Sequence, residues 1–243
     1  MDIKNLLEKE IKSKNYYEVS ENSPDPILIA QKYKDEKISI ICSLFAYGKA
    51  SLIVKFLKSI EFRILNETEK EIVKYINHYY RFQSIEDVKQ FFITLKRVEN
   101  VENIFLRGYK KDNFVIDGID EIIKEFHKIN SYNSKGYSFL IGNRYKGKTK
   151  GSSPYKRWNM FLRWMVRDGD IDFGLWKNVD KKDLIIPLDT HTFNVSRKLG
   201  LLNRKTYDLE SAIQLTDRLK EFDRFDPVKY DFAIYRLGQN EKL

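Results

Sequence analysis

Lys156 and Asp189 are the two residues whose side chains and spacing best suit covalent chemistry. Asp189 follows Lys156 by 33 residues, and a turn-rich connection joins the predicted helices that the two residues begin. A lysine amine can act as a nucleophile, and a nearby carboxylate can support it. If the two helices pack antiparallel or splay from a shared hairpin, their N-terminal ends line one cleft. The pair therefore predicts an amine-nucleophile site, although each residue alone also fits an ordinary surface lysine or a plain helix cap.

Lys156 lies in the segment PYKRWNMFLRWMVR, residues 154–167, which is predicted to be a helix. Pro154 suits its first turn, after a serine cap. An apolar face has the spacing i, i+3, i+4, i+7, at Trp158, Phe161, Leu162 and Met165. A second face is polar, with Asn159 and a row of three cations, Lys156, Arg163 and Arg167.

Asp189 lies in the segment IIPLDTHTFNVSRKLG, where Pro187 ends an extended apolar piece. An aspartate at this position is a good N-cap, and Gly200 is a suitable stop for the helix. His191 falls one turn inside this helix, as a structural or phosphate-contacting residue. Asp170 and Asp172, in the preceding acidic segment, are interpreted as turn-forming residues.

The positive charge of the chain is concentrated in one block. The net charge is +9, and residues 126–167 contain no Asp or Glu. The ten cations of this block are Lys128, Lys135, Arg144, Lys146, Lys148, Lys150, Lys156, Arg157, Arg163 and Arg167. Interleaved aromatic residues favour nucleic acid as the partner, and a solvated, solubilising surface is the alternative. Residues 143–153 are interpreted as a flexible basic loop, with two compatible roles: a mobile solvent loop, or a loop that becomes ordered when it binds phosphate.

The composition, with 42% hydrophobic and 14% aromatic residues, is that of a globular chain. Cys42 is the one cysteine, which excludes an internal disulfide, and the three histidines have no metal-site spacing. No apolar run approaches the roughly 18 residues of a membrane span, and the charged N-terminal segment lacks a signal-peptide core. We therefore expect a cytoplasmic protein without membrane or metal.

The apolar period is close to 3.6 throughout the chain, which predicts an all-α fold. Helices are expected to be capped by Asp35, Asp189 and Asp208, and another is expected to open at Asp226-Pro227 and end at Gly238. A single helix is predicted from Ile85 to about Leu106. We predict one domain over residues 1–243.

The segments around Lys156 and Asp189 resemble the core of the helix-hairpin-helix DNA glycosylases, in particular the archaeal-type 8-oxoguanine glycosylases. Lys156 matches the nucleophilic lysine that ends the hairpin, residues 161–163 match a Phe-Leu-Arg step, and Asp189 with His191 matches an Asp-x-His. This resemblance is specific over residues 153–200. The sequence departs from it in having Ser-Ser-Pro-Tyr at residues 152–155, where the hairpin usually carries Gly-x-Gly.

A larger part of the chain is similar to a widespread bacterial family of unknown function. The shared segments are DPI (Asp25–Ile27), AYG (Ala46–Gly48), LRWMVR (Leu162–Arg167), GLW (Gly174–Trp176), PLDTH (Pro187–His191) and DPVKYDFA (Asp226–Ala233). These segments extend the similarity over most of the chain.

The glycosylase resemblance implies a two-lobed helical fold with a cleft and a hairpin-like catalytic core at about residues 142–200. It implies a monomeric DNA-repair enzyme that flips a damaged base, such as an oxidised purine, out of double-stranded DNA. Lys156 would attack C1′ and Asp189 would stabilise the cationic sugar, without a cofactor. An abasic site would also be a substrate, and DNA binding would place the protein at the nucleoid.

The predicted contacts follow from the resemblance and the charge block together. DNA contacts are predicted at Lys146, Lys148, Lys150, Ser153, Arg157, Arg163, Arg167 and His191. A base pocket is predicted from Phe45, Trp158 and Trp164. Two other functions remain open: a non-catalytic DNA-binding protein of the same fold, and an RNA-directed or protein-interaction role for the basic block.

Overall fold

The computed structural model describes residues 2–13, 24–169 and 171–239. Within these residues the chain forms thirteen α-helices and three short 3-10 helices. The described residues form no strand, and the β contacts among them are two isolated bridges, Tyr80–Gln83 and Asp168–Phe173. The all-α prediction is therefore confirmed.

The chain divides into two compact units. The first unit comprises Met1–Ser23 and Lys146–Leu243, and the second comprises Pro24–Tyr145. The first unit contains α1 (Ile3–Ser13), α10 (Lys156–Val166), α11 (Thr190–Lys198), α12 (Leu209–Lys220) and α13 (Asp231–Gln239). The second contains α2 (Ile27–Tyr33), α3 (Glu36–Leu44), α4 (Ala50–Lys58), α5 (Glu69–Tyr75), α6 (Ile85–Arg97), α7 (Val101–Tyr109), α8 (Val115–Ile129) and α9 (Lys135–Ile141). The single domain and the cleft between lobes stay predictions.

Side-chain caps explain where many of these helices begin. The carboxylates of Asp35, Asp189 and Asp208 accept backbone N–H groups three residues later in α3, α11 and α12. Such a cap satisfies one of the four N–H groups that the first turn leaves unpaired. These three predicted caps are therefore confirmed. The serine cap predicted before Pro154 is wrong, because α10 begins at Lys156 and its N-cap, Tyr155, makes no side-chain cap.

The long helix predicted from Ile85 is interrupted. α6 ends at Arg97, and the side chain of Asn100 then caps α7 by accepting the N–H of Asn103 at 2.7 Å. The prediction was wrong because the apolar period continues across the break, whereas the cap starts a new helix.

The last helix also differs from its prediction. Asp226-Pro227 opens a 3-10 helix (Pro227–Tyr230), and α13 follows directly, with Gly238 inside it and not after it. A Cβ on Gly238 would lie 2.3 Å from Val195 Cγ2, so this glycine allows α13 to pack closely against α11.

α10 is a deeply buried helix of the first unit. Every residue from Phe161 to Val166 is buried, including positions on its predicted polar face. The segment after α10 folds back over its C-terminal end, where the N–H groups of Phe173 and Trp176 donate to the carbonyls of Trp164 and Met165, each at 2.8 Å.

Candidate functional site

The N-terminus of α10 is shaped by an unusual backbone conformation. Tyr155, the residue before Lys156, is buried and adopts the left-handed conformation with φ 51°. A non-glycine residue in this region costs about 1–3 kcal/mol and persists only where the surrounding structure enforces it. Asn159 contributes to that enforcement, since its Nδ2 donates to the carbonyl of Pro154 at 3.0 Å. The turn therefore fixes the direction in which α10 and Lys156 leave the loop.

Lys156 is the first residue of α10, and its side chain is half-buried. Its Nζ lies 3.7 Å from the sulfur of Met160, one turn further along the helix. The aliphatic stem is thus held along the helix while the amine is at its N-terminal end.

Asp189 caps α11 with a half-buried carboxylate that accepts the N–H of Thr192 at 2.8 Å. Tyr207 lies beside it, and its hydroxyl donates to the carbonyl of Leu188 at 2.9 Å. Burial raises the pKa of Tyr207 to about 12, and the negative charge of Asp189 acts in the same direction.

Asp231 is a third charged residue at this site, and the sequence analysis did not identify it. It begins α13, and its Oδ2 accepts from Arg163 Nη1 at 2.7 Å. Burial raises the pKa of Asp231, because only 16% of its side chain is exposed. The DPVKYDFA segment contains Asp231, so a carboxylate within a family signature was the available signal.

Three charged residues influence the pKa of Asp231. The positive charge of Arg163 and that of Lys156 both lower its pKa, whereas the negative charge of Asp189 raises it, and the net pKa remains raised. The charges of Lys156 and Asp189 thus both act on Asp231, in opposite directions. The N-termini of α10, α11 and α13 each contribute one of these three charged side chains.

The predicted row of cations on α10 is not a free positive surface. Arg163 is buried, forms ion pairs with Asp231 and with Asp172 at 3.3 Å, and lies 4.3 Å from the ring centre of Phe232. The Arg167 guanidinium pairs with Asp172 and donates twice to Asp226, at 2.8 and 3.0 Å. The predicted DNA contacts at Arg163 and Arg167 are corrected accordingly: both guanidiniums are engaged by internal carboxylates.

Asp172 also corrects an interpretation. Its side chain is only 2% exposed and bridges two arginines, so it is a buried ion-pair partner and not a solvated turn aspartate. Asp170, which was interpreted in the same way, lies outside the described residues.

The aromatic rings that were predicted to form a base pocket are core residues. Phe45, Trp158 and Trp164 are at most 2% exposed. Phe45 packs against other aromatic rings within the second unit. Trp158 packs edge-on against Phe161, and the segment that folds back over α10 covers Trp164. The base-pocket assignment is therefore corrected, because none of the three rings presents an open face.

The basic loop is fixed by hydrogen bonds and not flexible as predicted. Thr149 Oγ1 donates to Glu210 Oε2 at 2.5 Å, and the N–H of Gly151 donates to Asp208 Oδ2 at 2.8 Å. A third bond joins the N–H of Leu209 to the carbonyl of Ser152 at 2.9 Å. The loop is thereby clamped to the N-terminus of α12.

The remaining predicted DNA contacts differ in exposure. Lys146, Lys148 and Lys150 are exposed on this clamped loop, and Arg157 is half-buried. Ser153 is exposed, and its hydroxyl accepts the N–H of Tyr155 at 3.3 Å. The three lysines are therefore the accessible cations next to the start of α10.

His191 has a structural position between α11 and α13. Its Nε2–H donates to the carbonyl of Tyr235 at 3.1 Å, and the two rings meet edge-on at 5.0 Å. A Cβ on Gly238 would lie 2.6 Å from the same nitrogen, so the glycine makes room for the imidazole. Of the two roles predicted for His191, this geometry supports the structural one.

The described residues contain neither a metal-binding group nor a helix that could span a membrane. No group of three or more His, Cys, Asp or Glu side chains there could hold a metal ion. In the same residues, no helix combines the length and the apolarity of a membrane span.

Comparison with known proteins identifies a family but no characterised relative. No curated protein and no solved structure gives a significant match to the chain. Residues 25–240 match the model of the family described as "Protein of unknown function (DUF2400)", and the chain therefore belongs to that family.

Proposed function

We propose that this protein is a lysine-dependent DNA glycosylase with abasic-site lyase activity. The observation that carries the proposal is the placement of Lys156, Asp189 and Asp231 at the N-termini of three helices of the first unit, where the charges of the first two act on the third. The N-terminal end of a helix attracts anions such as phosphate. An amine, two carboxylates and a surrounding that favours anions are the components that attack on a deoxyribose carbon requires.

In the proposed reaction, the Lys156 amine forms a bond to C1′ while the bond from C1′ to the base breaks. The electron pair of that bond leaves with the base, which takes up a proton. Asp189 stabilises the cationic sugar as the base departs. Opening of the sugar ring gives an imine between Lys156 and C1′, and loss of a proton from C2′ expels the 3′ phosphate.

Asp231 has a supporting role in the proposed reaction, because its charge interacts with that of Lys156. Because burial raises its pKa, its carboxylate is a stronger base than that of a solvated aspartate. We assign it to accepting the proton that Lys156 must lose before attack. Arg163 limits this effect, since its positive charge lowers the same pKa.

A non-catalytic DNA-binding protein of the same fold is the second candidate function. One observation favours it: the N–H of Gly151 already donates to Asp208, so this amide of the hairpin region is not offered to a phosphate. In that case duplex binding depends on the exposed lysines of the clamped loop and is salt-sensitive, and no strand is cut.

Borohydride trapping separates the two functions, because it reduces an imine to a stable protein–DNA adduct. We expect wild-type protein to give an adduct with duplexes that contain an abasic site or an oxidised purine. Lys156→Ala should give none, and Asp189→Asn should slow base excision by about 100-fold or more. Lys198→Ala is the matched control, since it removes an exposed lysine of the same unit that has no assigned DNA contact, and it should still trap. Absence of an adduct with wild type, or equal trapping by Lys156→Ala, would refute the nucleophile.

A further inference from the structure

A tight turn in the second unit exposes an arginine and a phenylalanine. Tyr80 and Gln83 exchange backbone hydrogen bonds of 3.1 and 2.9 Å, which leaves Arg81 and Phe82 at the tip. Arg81 adopts the left-handed conformation with φ 52°, and 60% of Phe82 is exposed. Exposure of a large ring at a strained tip is unfavourable for folding alone, which suggests that the tip has a binding role.

Hydrogen bonds of the Gln83 and Tyr80 side chains hold the turn rigidly. The Gln83 side chain is buried, donates to the carbonyl of Gly136 at 2.9 Å and accepts the hydroxyl of Tyr47. The hydroxyl of Tyr80 donates to the carbonyl of Tyr47 at 2.7 Å. The exposed ring therefore needs little ordering when it binds a ligand, and this lowers the entropic cost of binding.

Phe82 belongs to a cluster of three aromatic rings. Its ring is parallel to that of Tyr47, at 6.0 Å between centres and 3° between planes. Phe139, which is 44% exposed, meets both rings edge-on at 5.2 and 5.1 Å. The guanidinium of Arg81 lies over the rings of Phe82 and Tyr47, at 5.4 and 5.7 Å from their centres. The result is a short aromatic stack with a planar cation beside it.

The cations of this region lack acidic partners. Among the described residues, no carboxylate forms an ion pair with Arg81, Lys49 or Lys135, and all three side chains are exposed. Lys135 is four residues before Phe139 on α9, and this spacing places both on one face of the helix. Lys49 follows Tyr47 by two residues. The aromatic stack is thus accompanied by unneutralised positive charge, which is complementary to an anionic ligand.

We propose that Tyr47, Arg81, Phe82 and Phe139 form a platform that binds unpaired nucleotides of single-stranded nucleic acid. Bases stack on the aromatic rings and on the guanidinium plane, while Arg81, Lys49 and Lys135 contact the phosphates. This surface belongs to the second unit, whereas Lys156 and the loop lysines belong to the first. It does not depend on the chemistry proposed for Lys156.

Phe225 provides a matched control for this platform. It is also preceded by an arginine, Arg224, whose guanidinium lies 5.0 Å from the ring centre, and it is 62% exposed. It has the same side chain, the same neighbouring cation and almost the same exposure as Phe82. The difference is that Phe225 has no ring-to-ring contact among the described residues, so it cannot supply a stack.

The test measures binding of a fluorescent oligothymidine of about 12 nucleotides by anisotropy. Phe82→Ala should weaken binding by about ten-fold, and Phe225→Ala should leave it within about two-fold of wild type. Phe82→Trp should retain binding, whereas Phe82→Leu, which keeps apolar area but loses the ring, should not. Phe139→Ala provides a second probe of the stack if Phe82→Ala does not fold.

Salt dependence separates stacking from charge. Lys135→Ala should reduce the slope of log affinity against log salt by about 0.7, while Phe82→Ala should leave the slope unchanged. The proposal is overturned if Phe82→Ala and Phe225→Ala bind alike, or if Phe82→Leu binds like wild type. It is also overturned if Phe82→Ala changes only the sedimentation of the protein, since the cluster would then be a contact between copies of this chain.

Discussion

Arg163 shows how burial changes the role of a charged residue. On the sequence it belongs to a row of cations, yet in the structure it joins Asp172 and Asp231 inside the first unit. A charge removed from water is stable only if it is paired and hydrogen-bonded. Arg163 therefore fixes α10 to α13 and holds the Asp231 carboxylate in place.

Replacing Arg163 with alanine should destabilise the first unit by about 3–5 kcal/mol, because Asp172 and Asp231 would keep buried charge without this partner. The loss can be measured by urea unfolding followed by tryptophan fluorescence. The three tryptophans, Trp158, Trp164 and Trp176, all belong to the first unit, so the signal reports on that unit. Arg157→Ala, on the same helix but half-buried, should cost much less. An Arg163→Ala protein of unchanged stability with weakened duplex binding would instead make Arg163 a DNA contact.

The role of a residue could be predicted where its interaction partner is close in the sequence, and not where the partner is distant. Asp189 was identified as a helix cap because its partner, Thr192, is three residues away. The partners of Arg163 lie 9 and 68 residues away, so no helical periodicity could reveal them. Asp231 was missed for the same reason: its charged neighbours, Arg163 and Lys156 on α10 and Asp189 at the start of α11, are 42 or more residues away in the sequence.

At the scale of elements, the clamp between the basic loop and α12 is the main departure from expectation. Glycines and lysines without an apolar period predict a mobile loop, but Asp208 uses its carboxylate twice, as the cap of α12 and as the acceptor for Gly151. Arg204 completes the clamp by donating to Asp208 at 2.9 Å. Composition alone could not predict this, since the acceptor is 57 residues from the loop.

Asp208→Asn should therefore destabilise the first unit by about 2 kcal/mol at neutral pH. Burial alone would raise the pKa of Asp208, but hydrogen bonds from Arg204, Gly151 and Ser211 lower it from 3.8 to about 2. A lowered folded-state pKa stabilises the protein above the unfolded pKa, and this contribution is lost as the pH falls from about 4 to about 2.

Urea unfolding of wild type and Asp208→Asn, followed by tryptophan fluorescence at pH 7 and near pH 2, measures this contribution. The difference between the two proteins should shrink at the lower pH. Asp217→Asn is a suitable control, because Asp217 is on the same helix with 62% of its side chain exposed. A difference that stays constant over this pH range would show that the Asp208 carboxylate does not stabilise the clamp by its charge.

At the scale of the whole molecule, the concentration of charge is weaker in the structure than in the sequence. Four of the ten cations of the block pair with acidic residues outside it: Lys128 with Glu125, Arg144 with Asp120, Arg163 with Asp172 and Asp231, and Arg167 with Asp172 and Asp226. Residues 126–167 contain no Asp or Glu, but the fold places acidic residues from other parts of the chain next to these four cations. The positive charge that remains exposed on the clamped loop is that of Lys146, Lys148 and Lys150.

The three loop lysines should therefore account for most of the salt dependence of duplex binding. Because each phosphate contact adds about 0.9 to the slope of log affinity against log salt, replacing all three with alanine should reduce the slope by about 2 to 3. The measurement is a salt titration of binding to a duplex without lesions. Replacing Lys55, Lys58 and Lys70, three exposed lysines of the second unit, changes the net charge equally and should leave the slope nearly unchanged. Equal reductions in both triple variants would mean that net charge, and not a positioned loop, attracts the DNA.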